Sequence, residues 1–196
     1  MQTWVTPVDK LGAVNVALAG LGQTKVNSLN DGDLGADAYL AIQFVEEAQN
    51  DLESEGWYFN EEYHSLAPNT QGEIFIPSNT LDIKPTQDDQ FVVRGQRLFN
   101  LNKNSWTFKH SVDVRIIVAL PFEHLPNAAR NFISALAAVR LQQQALGADH
   151  LDKTLKERAS QSRNILQRDD IRARRKNMLS DSYSVSKIIN RRGGVI

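Results

Sequence analysis

The apolar residues of this chain change period twice. From Leu11 to Leu21 and from Ala38 to Leu52 they recur every three or four residues. From Trp57 to Leu120 they come in short runs broken by Pro, Gly and Asn, and from Ala129 onward the helical spacing returns. With 41% hydrophobic and 23% charged residues the composition argues against full disorder, collagen and coiled-coil classes, and the short punctuated runs of the middle read as a small antiparallel meander. The expected fold class is α+β: a bundle of about four helices, the last one long, with a small antiparallel β-meander inserted between helices 2 and 3.

Local signals place the elements. Thr6 is read as a helix cap, Pro7 suits a first helical position where its missing N–H is not needed, and Asp9 favours the positive end of the helix dipole. Helix 1 is thus expected over about 7–21, ending at Gly22. Helix 2 spans about 34–55, with Ala38, Ile42, Val45, Gln49 and Leu52 on one face and Gly56 as its stop. The β-region covers about 57–120. Its strand candidates are Trp57-Tyr58-Phe59, Glu73–Ile76, Thr80–Ile83, Phe91–Val93, Leu98–Leu101, Trp106–Phe108 and Val112–Leu120, with Arg94-Gly95-Gln96-Arg97 as a hairpin turn.

Leu125-Pro126 opens helix 3, about 126–146, whose Ala-rich face allows close packing; Gly147 stops it. Helix 4, about 149–176, carries a stripe of Leu151, Leu155, Ala159, Ser162, Leu166 and Asp169 that turns polar along its length, so burial should weaken toward its end. At 1.5 Å per residue it is roughly 40 Å long. Residues 1–176 are read as a single domain, and 177–196, without a clear period, as a flexible C-terminal tail.

Composition narrows the chemistry. The 196 residues include no Cys, which removes disulfides, thiolate zinc sites, iron–sulfur clusters and cysteine nucleophiles. The four histidines, His64, His110, His124 and His150, lie at no metal-ligand spacing, and a structural or surface role is the better reading for each. Gly20-Leu21-Gly22-Gln23-Thr24-Lys25 lacks the spacing and the preceding strand of a phosphate loop. No Gly-x-Ser-x-Gly elbow occurs. No catalytic, cofactor or metal site is therefore assigned. The N-terminus has no charged and apolar leader pattern, and no window is apolar enough to span a membrane, so the chain reads as soluble and unprocessed.

Charge is the informative property. The formal net charge is −1, yet residues 1–100 hold 5 Lys+Arg and 15 Asp+Glu, whereas residues 101–196 hold 17 and 8. The basic excess is densest in Arg163, Arg168, Arg172, Arg174, Arg175 and Lys176, continued by Arg191 and Arg192 in the tail. Arg168, Arg172 and Arg175, spaced 4 and 3 apart, share a helix face and suit joint recognition of phosphates or carboxylates; the plain reading is a solvated helix end. The acidic counterpart comprises Glu46, Glu47, Asp51, Glu53, Glu61 and Glu62, read as a solvated or inter-subunit surface in preference to a pair of catalytic carboxylates.

Several strings, taken in order, resemble a known family. They are Ala13–Gly22, Val26-Asn27-Ser28-Leu29, Asp31-Gly32-Asp33, Ala36-Asp37-Ala38, Gly56-Trp57-Tyr58-Phe59-Asn60-Glu61-Glu62, Phe91–Phe99 and the helix start Leu125-Pro126. Over about residues 10–176 the chain resembles tail tubular protein A, the head-to-tail adaptor of podovirus-type short-tailed bacteriophages; nothing after about Met178 carries the likeness. The resemblance implies a non-enzymatic structural protein of the virion tail, made in the host cytoplasm and acting in DNA ejection. It implies a twelvefold ring of this chain on the portal protein, seating the tail nozzle (tail tubular protein B) and tail fibre protein, with genome DNA passing through the lumen without specific binding.

A ring needs two different complementary surfaces on each subunit, which an acidic and a basic half can supply. On this reading the basic residues face the portal and the acidic ones face a neighbouring copy or the nozzle. Two other classes stay open: a nucleic-acid-binding protein using the basic helix, and a tail-associated hydrolase of host-envelope polysaccharide using the acidic clusters.

Overall fold

A computed structural model of the protein describes residues 6–30, 32, 34–86, 90–147 and 153–181, with side chains described through 175. The helices are α1 (Lys10–Gly20), α2 (Ala36–Ser54), α3 (Asn127–Leu146) and α4 (Lys153–Asp181). The strands β1 (Glu61–Leu66), β2 (Thr80–Pro85), β3 (Phe91–Arg94), β4 (Arg97–Asn100) and β5 (Val112–Val118) lie between α2 and α3. The fold is α+β with a small antiparallel sheet and a long last helix. The chain divides into two compact units, 1–45 with 126–196 and 46–125, and α2 contributes its first half to one and its second half to the other.

In the helical unit α3 packs against both α1 and α4. Its buried face is built from Ala129, Phe132, Ile133, Ala135, Ala137, Ala138 and Leu141, and α1 supplies Ala13, Val14, Ala17 and Leu18. Small side chains bring the helices close: a Cβ on Gly20 would sit 3.3 Å from the Ala138 Cβ. Helix α1 starts three residues later than its sequence suggested. Asp9, expected inside the first turn, is the cap, and its Oδ1 accepts from the Gly12 N–H at 2.7 Å. Pro7 lies buried before the helix, and the Thr6 hydroxyl accepts from Asn131 Nδ2 at 3.1 Å, tying the entering chain to α3.

The second unit is organised by β5. It pairs antiparallel with β1 on one side and β2 on the other, in the order β1-β5-β2, so the last strand is central and sequential strands are not neighbours as in a simple meander. β3 and β4 form a separate hairpin, Arg94 facing Arg97 across the Gly95-Gln96 turn, where the sequence placed it. Val112, Val114, Ile116 and Val118 alternate inward from β5 onto Ile74, Leu98 and Phe108.

Three expected strands are not strands. Trp57-Tyr58-Phe59 is a turn because Asn60, fully buried, organises it: Asn60 Oδ1 accepts from the Trp57 N–H at 2.8 Å, and Nδ2 donates to the Glu53 and Val118 carbonyls at 2.9 and 3.0 Å. Glu73–Ile76 makes a single bridge, Phe75 to Arg97, and Trp106–Phe108 makes none. β1, conversely, was hidden: its Glu-Glu-Tyr-His-Ser-Leu sequence is largely exposed and carries no apolar alternation. Gly56, expected to stop α2, has φ +76°, and a Cβ there would lie 2.6 Å from Ile117 Cδ1, so this turn closes over β5 only with glycine.

Candidate interaction surfaces

Helix α4 holds most of the basic residues, and its sequence explains its persistence. From Lys153 to Asp181 it contains neither Gly nor Pro. Pairs along its surface reinforce it: Lys153 with Glu157 at 3.8 Å, Asp169 with Arg172 at 3.8 Å and Asp170 with Arg174 at 2.8 Å. One side is buried through Leu155, Ala159 and Leu166. No side chain from 167 to 175 is buried, so the helix is anchored by its first half, as its weakening stripe suggested. Leu151, expected in the stripe, lies outside the described residues. The helix also continues to Asp181, past its expected end at 176.

The basic residues part into two groups. Arg163 lies 5.4 Å over the Phe132 ring of α3, and Arg174 is held by Asp170, whose side chain is mostly covered. Arg163 thus packs on the helical unit, and Arg174 is tied along α4 itself. Arg168, Arg172 and Arg175 are exposed on the far side; Arg168 Nε donates to the Asn164 carbonyl at 3.3 Å, and Arg172 makes a long, exposed contact with Asp169. Two isoleucines share this outer side, Ile165 at 45% and Ile171 at 49% exposure. The side chain of Lys176, and Arg191 and Arg192 altogether, lie outside the described residues.

The acidic group is not one surface. Glu46, Glu47 and Asp51 are exposed on α2, but Glu53, placed with them by sequence, is buried at 2% exposure. Its Oε1 accepts from the Leu120 N–H at 3.1 Å and from Gln49 Nε2 at 3.4 Å, while Gln49 also donates to the Leu120 carbonyl at 2.8 Å. Glu53 therefore corrects the expected acidic face: it satisfies backbone where the chain leaves β5. Burial raises its pKa above the ordinary 4.5, partly offset by these two hydrogen bonds.

Strand alternation separates the remaining pair. Glu61 turns inward and meets Arg115 of β5 through two contacts, 2.8 Å to Nε and 2.9 Å to Nη2, whereas Glu62 is exposed beside His64 Nε2 at 2.7 Å.

A cluster the sequence did not single out lies on the hairpin. Arg94 stacks 3.7 Å over Phe99, Phe99 meets Trp106 edge to face at 5.0 Å, and Arg97 lies 4.6 Å over Trp106 while bonding Glu73 at 2.6 Å. The pattern that encodes it is two arginines flanking a two-residue turn, which makes them cross-strand partners beside an aromatic two positions further on. Among the described residues no three His, Cys, Asp or Glu come together as metal ligands, and no helix is long and apolar enough to cross a membrane.

The arrangement is thus a set of charged and stacked surfaces. Compared with known proteins, residues 11–176 match the family model described as tail tubular protein, a span that takes in both compact units. The chain belongs to the tail tubular protein family. It is 26% identical over 167 residues to tail tubular protein A of Klebsiella phage KP34, covering 85% of this chain and 89% of that protein. As a tail tubular protein it is a structural component of the bacteriophage virion tail.

Proposed function

We propose that this tail tubular protein is the head-to-tail adaptor, assembled as a twelvefold ring that docks on the portal protein, continues the DNA channel, and seats the tail nozzle and fibres. It acts by binding and carries out no catalysis. The observation that supports this reading best is the outer side of α4, where Arg168, Arg172 and Arg175 project from a helix anchored on its opposite side by Leu155, Ala159 and Leu166. A rigid, one-sided display of guanidinium groups suits an acidic protein surface, because each presents planar donors that match carboxylates. Glu46, Glu47 and Asp51 on α2, with Glu62 on β1, then serve a neighbouring copy or the nozzle. Arg163, stacked on Phe132, supports the display from behind, and the Asp170–Arg174 pair stiffens the helix.

The deciding experiment is electron microscopy, with mass photometry, of the full chain mixed with the portal of the same phage. A ring of adaptor copies on the portal face is the expected result. Portal particles left bare while the chain retards duplex DNA at low salt would favour the nucleic-acid reading, for which log affinity falls steeply with log salt. Release of reducing sugar from capsule by the purified chain would favour the hydrolase reading.

A further inference from the structure

The outer side of α4 is more than a row of cations. At 100° per residue, Arg168, Arg172 and Arg175 fall within about 60° of one another, and Ile165 and Ile171 flank them, the whole set covering about 120° of the helix. The buried Leu155, Ala159 and Leu166 stripe lies roughly opposite. Single exposed isoleucines are ordinary on a protein surface. Here two are brought to one side of one helix, three residues on either side of Arg168, and Gln161, Asn164 and Gln167 complete the rim of the shallow depression they line. Among the described residues of α4, the buried ones all lie on the opposite side.

We infer that α4 binds by lying lengthwise in an apolar groove rimmed with carboxylates, Ile165 and Ile171 filling the groove as anchors while Arg168, Arg172 and Arg175 meet the rim. This deepens the adaptor reading and rests on it: the groove belongs to the portal protein. Charge complementarity selects an acidic partner, and the isoleucines select one that also offers apolar surface, since burying two such side chains supplies affinity that exposed ion pairs do not.

A second copy of the chain fits less well. Its acidic row on α2 has Glu46, Glu47 and Asp51, and the large apolar side chain exposed on that helix is a single aromatic, Tyr39, two turns before Glu46, which does not match two isoleucines six residues apart. Duplex DNA offers phosphates but no apolar groove of this kind.

The test measures binding of the full-length chain to purified portal protein across a salt series. Three proteins are compared: wild type, the pair Ile165→Ser with Ile171→Ser, and the triple Arg168→Gln, Arg172→Gln, Arg175→Gln. All five positions are exposed, so unchanged thermal unfolding verifies that each variant folds. The isoleucine pair is expected to weaken binding about tenfold or more at every salt concentration, leaving the salt dependence as in wild type. The arginine triple is expected to weaken binding most at low salt and to flatten the salt dependence.

Wild-type binding that the isoleucine variant retains within about twofold overturns the groove while leaving the adaptor reading intact. Failure of wild type itself to bind portal removes the adaptor reading, and the groove with it. A loss in the isoleucine variant of association between copies, with portal binding undiminished, also overturns the assignment.

Discussion

Glu53 shows how one residue can be misplaced by its neighbours in sequence. It follows Glu46, Glu47 and Asp51 on an acidic stretch, yet it is buried and caps the backbone at Leu120. Because burial raises its folded pKa above 4.5, the protonated form is the one favoured by folding. Its contribution is fully present below the unfolded pKa and is lost as pH rises through the folded value. Glu53→Gln keeps an acceptor for the Leu120 N–H and removes the charge. Its thermal stability relative to wild type is therefore expected to improve as pH rises above the ordinary 4.5, as followed by unfolding at each pH; a difference that stays level would contradict this.

Asn60 makes a second residue-scale case. Its buried side chain bonds three backbone groups, the Glu53 carbonyl at the end of α2, the Trp57 N–H in the following turn and the Val118 carbonyl at the end of β5. Asn60→Ala removes the acceptor of the Trp57 N–H and one donor each from the Glu53 and Val118 carbonyls, and is expected to cost about 1–3 kcal/mol, measured by denaturant unfolding.

At the scale of elements, α4 is a helix with a gradient. Leu166 is fully buried, Ile171 is half exposed, and no side chain after Leu166 and up to 175 is buried. Leu166→Ala is expected to cost about 2–4 kcal/mol, while Ile171→Ala costs less than about 0.5 kcal/mol in the free protein. Amide exchange should follow the same slope, slow around Ala159 and fast beyond Arg172, since intrahelical hydrogen bonds open readily where no tertiary contact holds them. Uniform protection along α4 would mean that something other than the buried stripe anchors its second half. The helix starts were legible to within a few residues because caps, glycines and apolar spacing are local signals. β1 was not legible, because its middle residues 62–65 are all exposed and leave no hydrophobic alternation, and only pairing with β5 makes Glu61–Leu66 a strand.

For the whole molecule, the near-zero net charge is a sum of opposites, with the exposed acids on α2 and the exposed arginines on α4. In the adaptor reading this makes assembly salt-sensitive: association of copies on the portal is expected to form faster at low ionic strength and to slow markedly above about 0.15 M salt, observed by stopped-flow light scattering. Rates independent of salt would show that the charged surfaces do not steer assembly.

The sequence by itself determined the class of fold, the helices and hairpin, the absence of cysteine chemistry and the likeness to the tail tubular protein family, because each rests on local spacing or on residue identity. Tertiary structure alone decided that β5 is the central strand, that Glu53 and Glu61 turn inward while Glu62 turns out, and that Arg163 packs on α3 while Arg168, Arg172 and Arg175 face away with Ile165 and Ile171. The physical reason is common to all of these: spacing fixes which residues share a side of an element, but the side that is buried is chosen by the partner it packs against.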